Sequence, residues 1–151
     1  MIFAFLIGIL AGLRALTPLA AVSWAARLGW LNLNGTWLGF LGATVTPYIA
    51  SLLALAELVG DKLATTPSRK TSMPFGARIV SGALCGAALA APGGGSALGL
   101  CLGAIGAVIG TLGGAALRAR LAKAFEKDLP AALLEDAVTI GGTLLILSRF
   151  A

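Results

Sequence analysis

Leu55-Ala56-Glu57-Leu58-Val59-Gly60-Asp61-Lys62-Leu63-Ala64-Thr65-Thr66-Pro67-Ser68-Arg69 closes a long apolar run and sets four charged side chains, a glycine and a Thr-Pro step into one short block. Nearly everything around it is oily. The 151 residues are 58% hydrophobic and only 11% charged, and the mean hydropathy is +0.97. Soluble domains carry about 25% charged residues, so this chain lacks the charge to cover a water-facing surface. The block therefore reads as the boundary of a membrane helix, and the fold class as an all-α polytopic membrane helix bundle in a single domain.

Working outward, about five transmembrane segments are expected. They cover residues 2–26, 37–58, 76–91, 97–117 and 130–148, each compared with the roughly 20 residues that a bilayer core requires. The first is interrupted by Gly12-Leu13-Arg14-Ala15-Leu16-Thr17-Pro18. Proline lacks a backbone donor and disfavours helix at the preceding residue, so this span is expected to be kinked, or broken into two half-helices. Trp24, Trp30 and Trp37 mark an interfacial stretch. The second span carries its own Thr46-Pro47, and Pro130 starts the fifth, where the first helical turn tolerates it. Gly39-Phe40-Leu41-Gly42-Ala43 echoes Leu100-Cys101-Leu102-Gly103-Ala104, which suggests a two-hairpin internal repeat of the kind found in transporters.

The net charge of +5 does not point to nucleic acid. The basic residues lie mostly in two short connections, with few aromatics between them. The positive-inside rule places those connections, residues 61–75 and 118–129, at the cytoplasm. With five crossings the N-terminus is then inside and the C-terminus outside; a re-entrant segment would change that. The first residues have no basic stretch before the apolar run, so the first span is expected to be retained rather than cleaved. Cys85 and Cys101 sit in apolar stretches and read as small apolar side chains. No histidine, nucleophile motif, metal-ligand cluster or cofactor motif is visible, so an enzyme is not expected.

Charges inside a membrane cost about 2.5–3.5 kcal/mol each on insertion scales, so each needs a reason. Arg14 stands ~18 Å along its span and cannot lose its proton; it needs a carboxylate, an anion, water or freed carbonyls. Glu57 and Asp61 share a helix face, and two close carboxylates suit a cation or a proton relay. The plainer reading is a helix end neutralised by Lys62. Glu135 and Asp136 point about 100° apart on a helix, so they serve different partners, with Arg14 and Arg78 as the natural candidates. Lys62, Arg69 and Lys70 are candidates for lipid headgroups. Gly99, Gly103, Gly106, Gly110 and Gly114 mark a helix face for close packing, within the chain or across a homo-oligomer.

Taken together, Gly12-Leu13-Arg14 with Thr17-Pro18, Glu57 to Lys62, Thr66 to Arg69, Arg78 and Glu135-Asp136-Ala137 resemble the small bacterial integral membrane proteins grouped as domain-of-unknown-function 4126. The resemblance covers nearly the whole chain and implies a bacterial inner (cytoplasmic) membrane protein; it implies no substrate. Glu57-x-x-Gly60-Asp61-Lys62 is also similar to the Glu-x-Gly-Asp-Lys/Arg motif of membrane cation/proton exchangers, which has one residue between Glu and Gly where this chain has two. The expected function is an ion or small-solute transporter or channel whose polar path holds Arg14, Glu57, Asp61, Arg78, Glu135 and Asp136. The alternative is a non-transporting assembly protein, or one that grips anionic lipid through the basic 62–78 connection.

Overall fold

In a computed structural model, described over residues 1–60 and 72–151, six α-helices make up the fold. They are α1 (Ile2–Leu13), α2 (Leu16–Arg27), α3 (Thr46–Gly60), α4 (Ser72–Ala90), α5 (Ser96–Phe125) and α6 (Asp128–Leu147). No strand occurs among the described residues. Three stretches, Pro74–Gly93, Ser96–Phe125 and Asp128–Leu147, are long and apolar enough to cross a bilayer; Ile2–Leu13 and Thr46–Gly60 are shorter apolar helices. The expected count of about five spans is not reproduced in the described residues.

The first expected span is two helices. Helix α1 ends at Arg14, whose backbone is extended (φ −137°, ψ 113°), and α2 resumes two residues later. Pro18 gives the reason. A proline ring collides with the carbonyl four residues earlier, which here is that of Arg14. A helix running through Arg14 is therefore blocked, whereas Pro18 within the first turn of α2 displaces no hydrogen bond.

The two halves do not continue along one axis. Phe3 meets Phe150 edge to face at 5.9 Å, so α1 starts at the end of the bundle where α6 finishes. The methyl of Met1 lies close to Gly95, in the α4–α5 turn at the same end. Helix α2 heads back to that end: Leu28 and Trp30 line a groove with Leu144 and Leu147 of α6. Val22, Ala25, Leu31, Leu33, Leu38 and Leu41 join one core with Ile7, Leu10, Cys85, Leu89 and Leu147. Helices α1 and α2 thus form an open V whose tip, Arg14-Ala15, lies deep in the bundle. Consequently both termini lie at one end of the molecule, which corrects the expectation of termini on opposite sides. The chain turns back where a crossing was expected.

Other boundaries moved for local reasons. Residues 37–45 are not part of a span: Gly39–Gly42 is a 3-10 turn, and α3 starts at Thr46. The matching Leu100–Ala104 lies inside the 30-residue α5, so the two echoed stretches adopt different conformations. Helix α5 runs on past residue 117 because Ala115 to Ala124 are mostly strong helix formers; it stops at Glu126, whose φ is +55°. Cys85 is buried and Cys101 exposed, both as free thiols.

Glycine sets how closely α1, α4 and α5 pack. A methyl on Gly99 or Gly103 would overlap the backbone of Gly86 or Gly82 in α4. One on Gly106 or Gly110 would overlap the backbone of Phe5 or Ile9 in α1, and one on Gly114 would overlap Leu13. The glycine faces proposed for an oligomer contact at Gly106, Gly110 and Gly114 are therefore covered by α1 of the same chain.

Candidate functional site

The V tip is the polar centre of the bundle. Breaking a helix frees the last carbonyls of one half and the first amides of the other, and in an apolar interior each unmet group costs several kcal/mol. Here side chains from the other helices meet them. Glu57 of α3 accepts from the amides of Ala15 (2.9 Å) and Leu16 (2.9 Å), one with each carboxylate oxygen. Thr111 of α5 donates to the carbonyls of Gly12 (3.1 Å) and Ala107 (2.8 Å). Ser81 of α4 donates to the carbonyl of Ala15. Helix α6 supplies Asp136, ion-paired with Arg14 at 2.5 Å, the two side chains being 0% and 12% exposed. Each of α3, α4, α5 and α6 thus places at least one polar side chain on the break.

The carboxylate of Glu57 sits on the N-terminal end of α2. The free amides there and the helix dipole both favour negative charge, so Glu57 acts as a cap supplied by another helix. Glu135 lies beside this centre and faces Arg118 of α5 at 3.4 Å. Arg118 also grips Asp128 through Nε (2.9 Å) and Nη2 (2.5 Å). Among the described residues Asp136 thus faces Arg14 and Glu135 faces Arg118. Residue 118 opens the connection expected after the fourth span, where an arginine needs no buried partner; in the continuous α5 it stands one turn beyond Gly114. A groove of about 240 Å³ lined by Leu13, Leu117, Arg118, Leu134 and Glu135 opens beside it.

Arg78 is buried, 5% exposed, one turn before Ser81 on α4. Arg14, Glu57, Arg78, Glu135 and Asp136 therefore belong to the interior around the break or its immediate flank. Asp61, Lys62, Arg69 and Lys70 lie outside the described residues. Ser81 and Thr111 were passed over in the sequence because hydroxyls in apolar helices usually bond their own helix. Thr111 does bond its own helix, and bonds α1 as well. No group of three or more metal-ligating side chains occurs among the described residues.

A family described as a domain of unknown function (DUF4126) matches residues 1–149. The chain belongs to this family. The family description assigns no activity. No curated protein and no solved structure matches the chain.

Proposed function

We propose that the protein is a small multi-pass transporter or channel for an ion or small solute in the bacterial cytoplasmic membrane. In this reading the break between α1 and α2 is its working centre. The observation that carries it is the Arg14–Asp136 pair at 2.5 Å beside the Glu57-capped end of α2, deep inside an apolar bundle. Discontinuous helices in transporters place ion and substrate sites at such ends, and intramembrane ionisable residues mark ion paths by default. Helix α3 packs chiefly on α2, so a change at Glu57 would be passed to α2 and the tip together. By the positive-inside rule the end bearing Arg118, Arg120, Lys123 and Lys127 faces the cytoplasm, and both termini face away from it.

The lipid-gripping alternative loses one of its residues, because Arg78 is buried. A purely structural pair remains the competing account, favoured by the full burial of Arg14. Reconstitution separates the two. Liposomes carrying the purified protein, with gradients of H⁺, Na⁺ or K⁺ imposed in turn, are expected to pass at least one ion faster than protein-free liposomes. Asp136→Asn is expected to lower that rate. Background flux for all three ions from the folded parent protein would overturn the transport reading.

A further inference from the structure

Helix α2 packs on both α3 and α6, while α3 and α6 make no comparable contact with each other. The space between them is a groove of about 490 Å³ with α2 as its floor. Thr17, Ala20, Ala21, Trp24, Ala25 and Leu28 line that floor. They recur at three- and four-residue steps, so they form one stripe of the helix. The alanines in the stripe are too short to fill the space above them. Ser51, Ala54, Leu55 and Leu58 of α3 form one bank, and Leu144 and Leu147 of α6 the other. Leu28, Leu55 and Leu144 are exposed, so the rim lies on the outside of the bundle.

Length and charge decide what fits. Thr17 lies just past the V tip and Leu28 at the termini end, and the stripe between them is ~16 Å long at 1.5 Å per residue. That is about half of a ~30 Å hydrocarbon core, the depth of one lipid leaflet. Trp24 and Trp30 line the outer part, and tryptophan sits at headgroup level. Trp24 is fixed there: its indole N–H donates to Ser51 Oγ at 3.0 Å, and its ring meets Tyr48 edge to face at 5.1 Å. Arg27 is the last residue of α2, and Arg149 follows the end of α6. Both are exposed. Nη1 of Arg27 donates to Thr44 Oγ1 at 3.1 Å, which holds the guanidinium close to the start of α3. Its remaining N–H donors suit a phosphate. Among the described residues no acidic side chain lies at this end: Glu57, Glu135 and Asp136 are at or beside the break, and Glu126 and Asp128 are at the opposite end. The terminal carboxylate is offset by the terminal amine.

We infer that this groove binds an anionic phospholipid. One acyl chain lies along the alanine floor of α2. The headgroup phosphate stays at the mouth, in the positive potential that Arg27 and Arg149 supply. A zwitterionic lipid fits the apolar floor equally well and gains less from that charge. The site takes from the transport reading only the placement of the protein across a membrane, and it does not depend on whether an ion passes.

The test titrates the purified full chain, in detergent micelles, with equal amounts of phosphatidylglycerol and phosphatidylcholine bearing the same acyl chains. Retained lipid is counted by native mass spectrometry. The parent protein is expected to keep phosphatidylglycerol several-fold more often than phosphatidylcholine. Arg27→Gln with Arg149→Gln, both at exposed positions, is expected to erase that preference. Lys123→Gln with Lys127→Gln, at the other end, is expected to keep it. Ala21→Phe, which fills the floor, is expected to lose most retention of either lipid. Equal retention of the two lipids by the parent overturns the site. So does a preference that survives the loss of Arg27 and Arg149, one that disappears with Lys123 and Lys127, or full retention by a folded Ala21→Phe. A dimer of the parent that Ala21→Phe dissociates would put a second copy in the groove and overturn the lipid as its occupant. Ion flux in liposomes tests the transport reading separately, since its absence leaves each of these lipid outcomes as it stands.

Discussion

Arg14 is fully buried, and among the described residues its guanidinium pairs with the carboxylate of Asp136. Removing one member of a buried ion pair costs about 3–5 kcal/mol, because the other charge is left uncompensated, whereas replacing both by apolar residues is often neutral or stabilising. Arg14→Met is therefore expected to destabilise the protein by about 3–5 kcal/mol in a reversible detergent unfolding series. Arg14→Met combined with Asp136→Leu is expected to recover most of that loss. If the double variant is as unstable as the sum of its parts, Asp136 is not the principal partner. Glu57 calls for a different comparison. Glu57→Gln keeps one oxygen acceptor for the amides of Ala15 and Leu16, and Glu57→Ala keeps none. The alanine variant is expected to lose about 1–2 kcal/mol, as for other helix N-caps, and glutamine less. At this scale the charged positions were legible because charge in an apolar run is costly. The pairing was not legible, since nothing in one sequence says which arginine a carboxylate meets. Ser81 and Thr111 were not legible either, because each donates to a carbonyl beside the break on another helix.

Among the elements, the α1–α2 break and the α1–α4–α5 contact decide the architecture. The break was legible from Thr17-Pro18, and the clash at the carbonyl four residues earlier fixes it at Arg14. The direction of α2 after the break was not legible. It depends on Val22, Ala25 and Leu31 finding Leu89 and Leu147 in space, and an apolar periodic segment reads alike whether it crosses or turns back. The glycines give a paired test. Gly103→Ala and Gly110→Ala would place a methyl against backbone that cannot swing aside; overpacking of this kind costs about 1–3 kcal/mol or more. Gly113 and Gly141 lie on the same two long helices, α5 and α6, with nothing within 4 Å of an added methyl. Alanine there is expected to stabilise the helix by about 0.5–1 kcal/mol. Detergent unfolding of the four variants checks the contrast, and equal effects at 103 and 113 would contradict the packing described.

For the molecule as a whole, the V places the polar centre in the interior and leaves the two ends chemically distinct. One end holds both termini, the α4–α5 turn and the Trp30–Trp37 stretch; the other holds Arg118 to Lys127. That the chain holds helices apolar enough to cross a membrane was legible from composition alone, because 11% charge cannot cover a soluble surface. The side on which each terminus lies was not, because it hinges on whether residues 2–27 cross or return. The direct test is labelling with a membrane-impermeant maleimide in sealed inside-out and right-side-out vesicles. It uses single cysteines introduced at Ile2, Lys123 and Ala151, in a chain with Cys85 and Cys101 replaced by serine. The account predicts that positions 2 and 151 label from one side and position 123 from the other. Labelling of positions 2 and 123 from the same side, with 151 opposite, would mean that the first segment crosses, and would contradict the return at Arg14 on which the proposed centre depends.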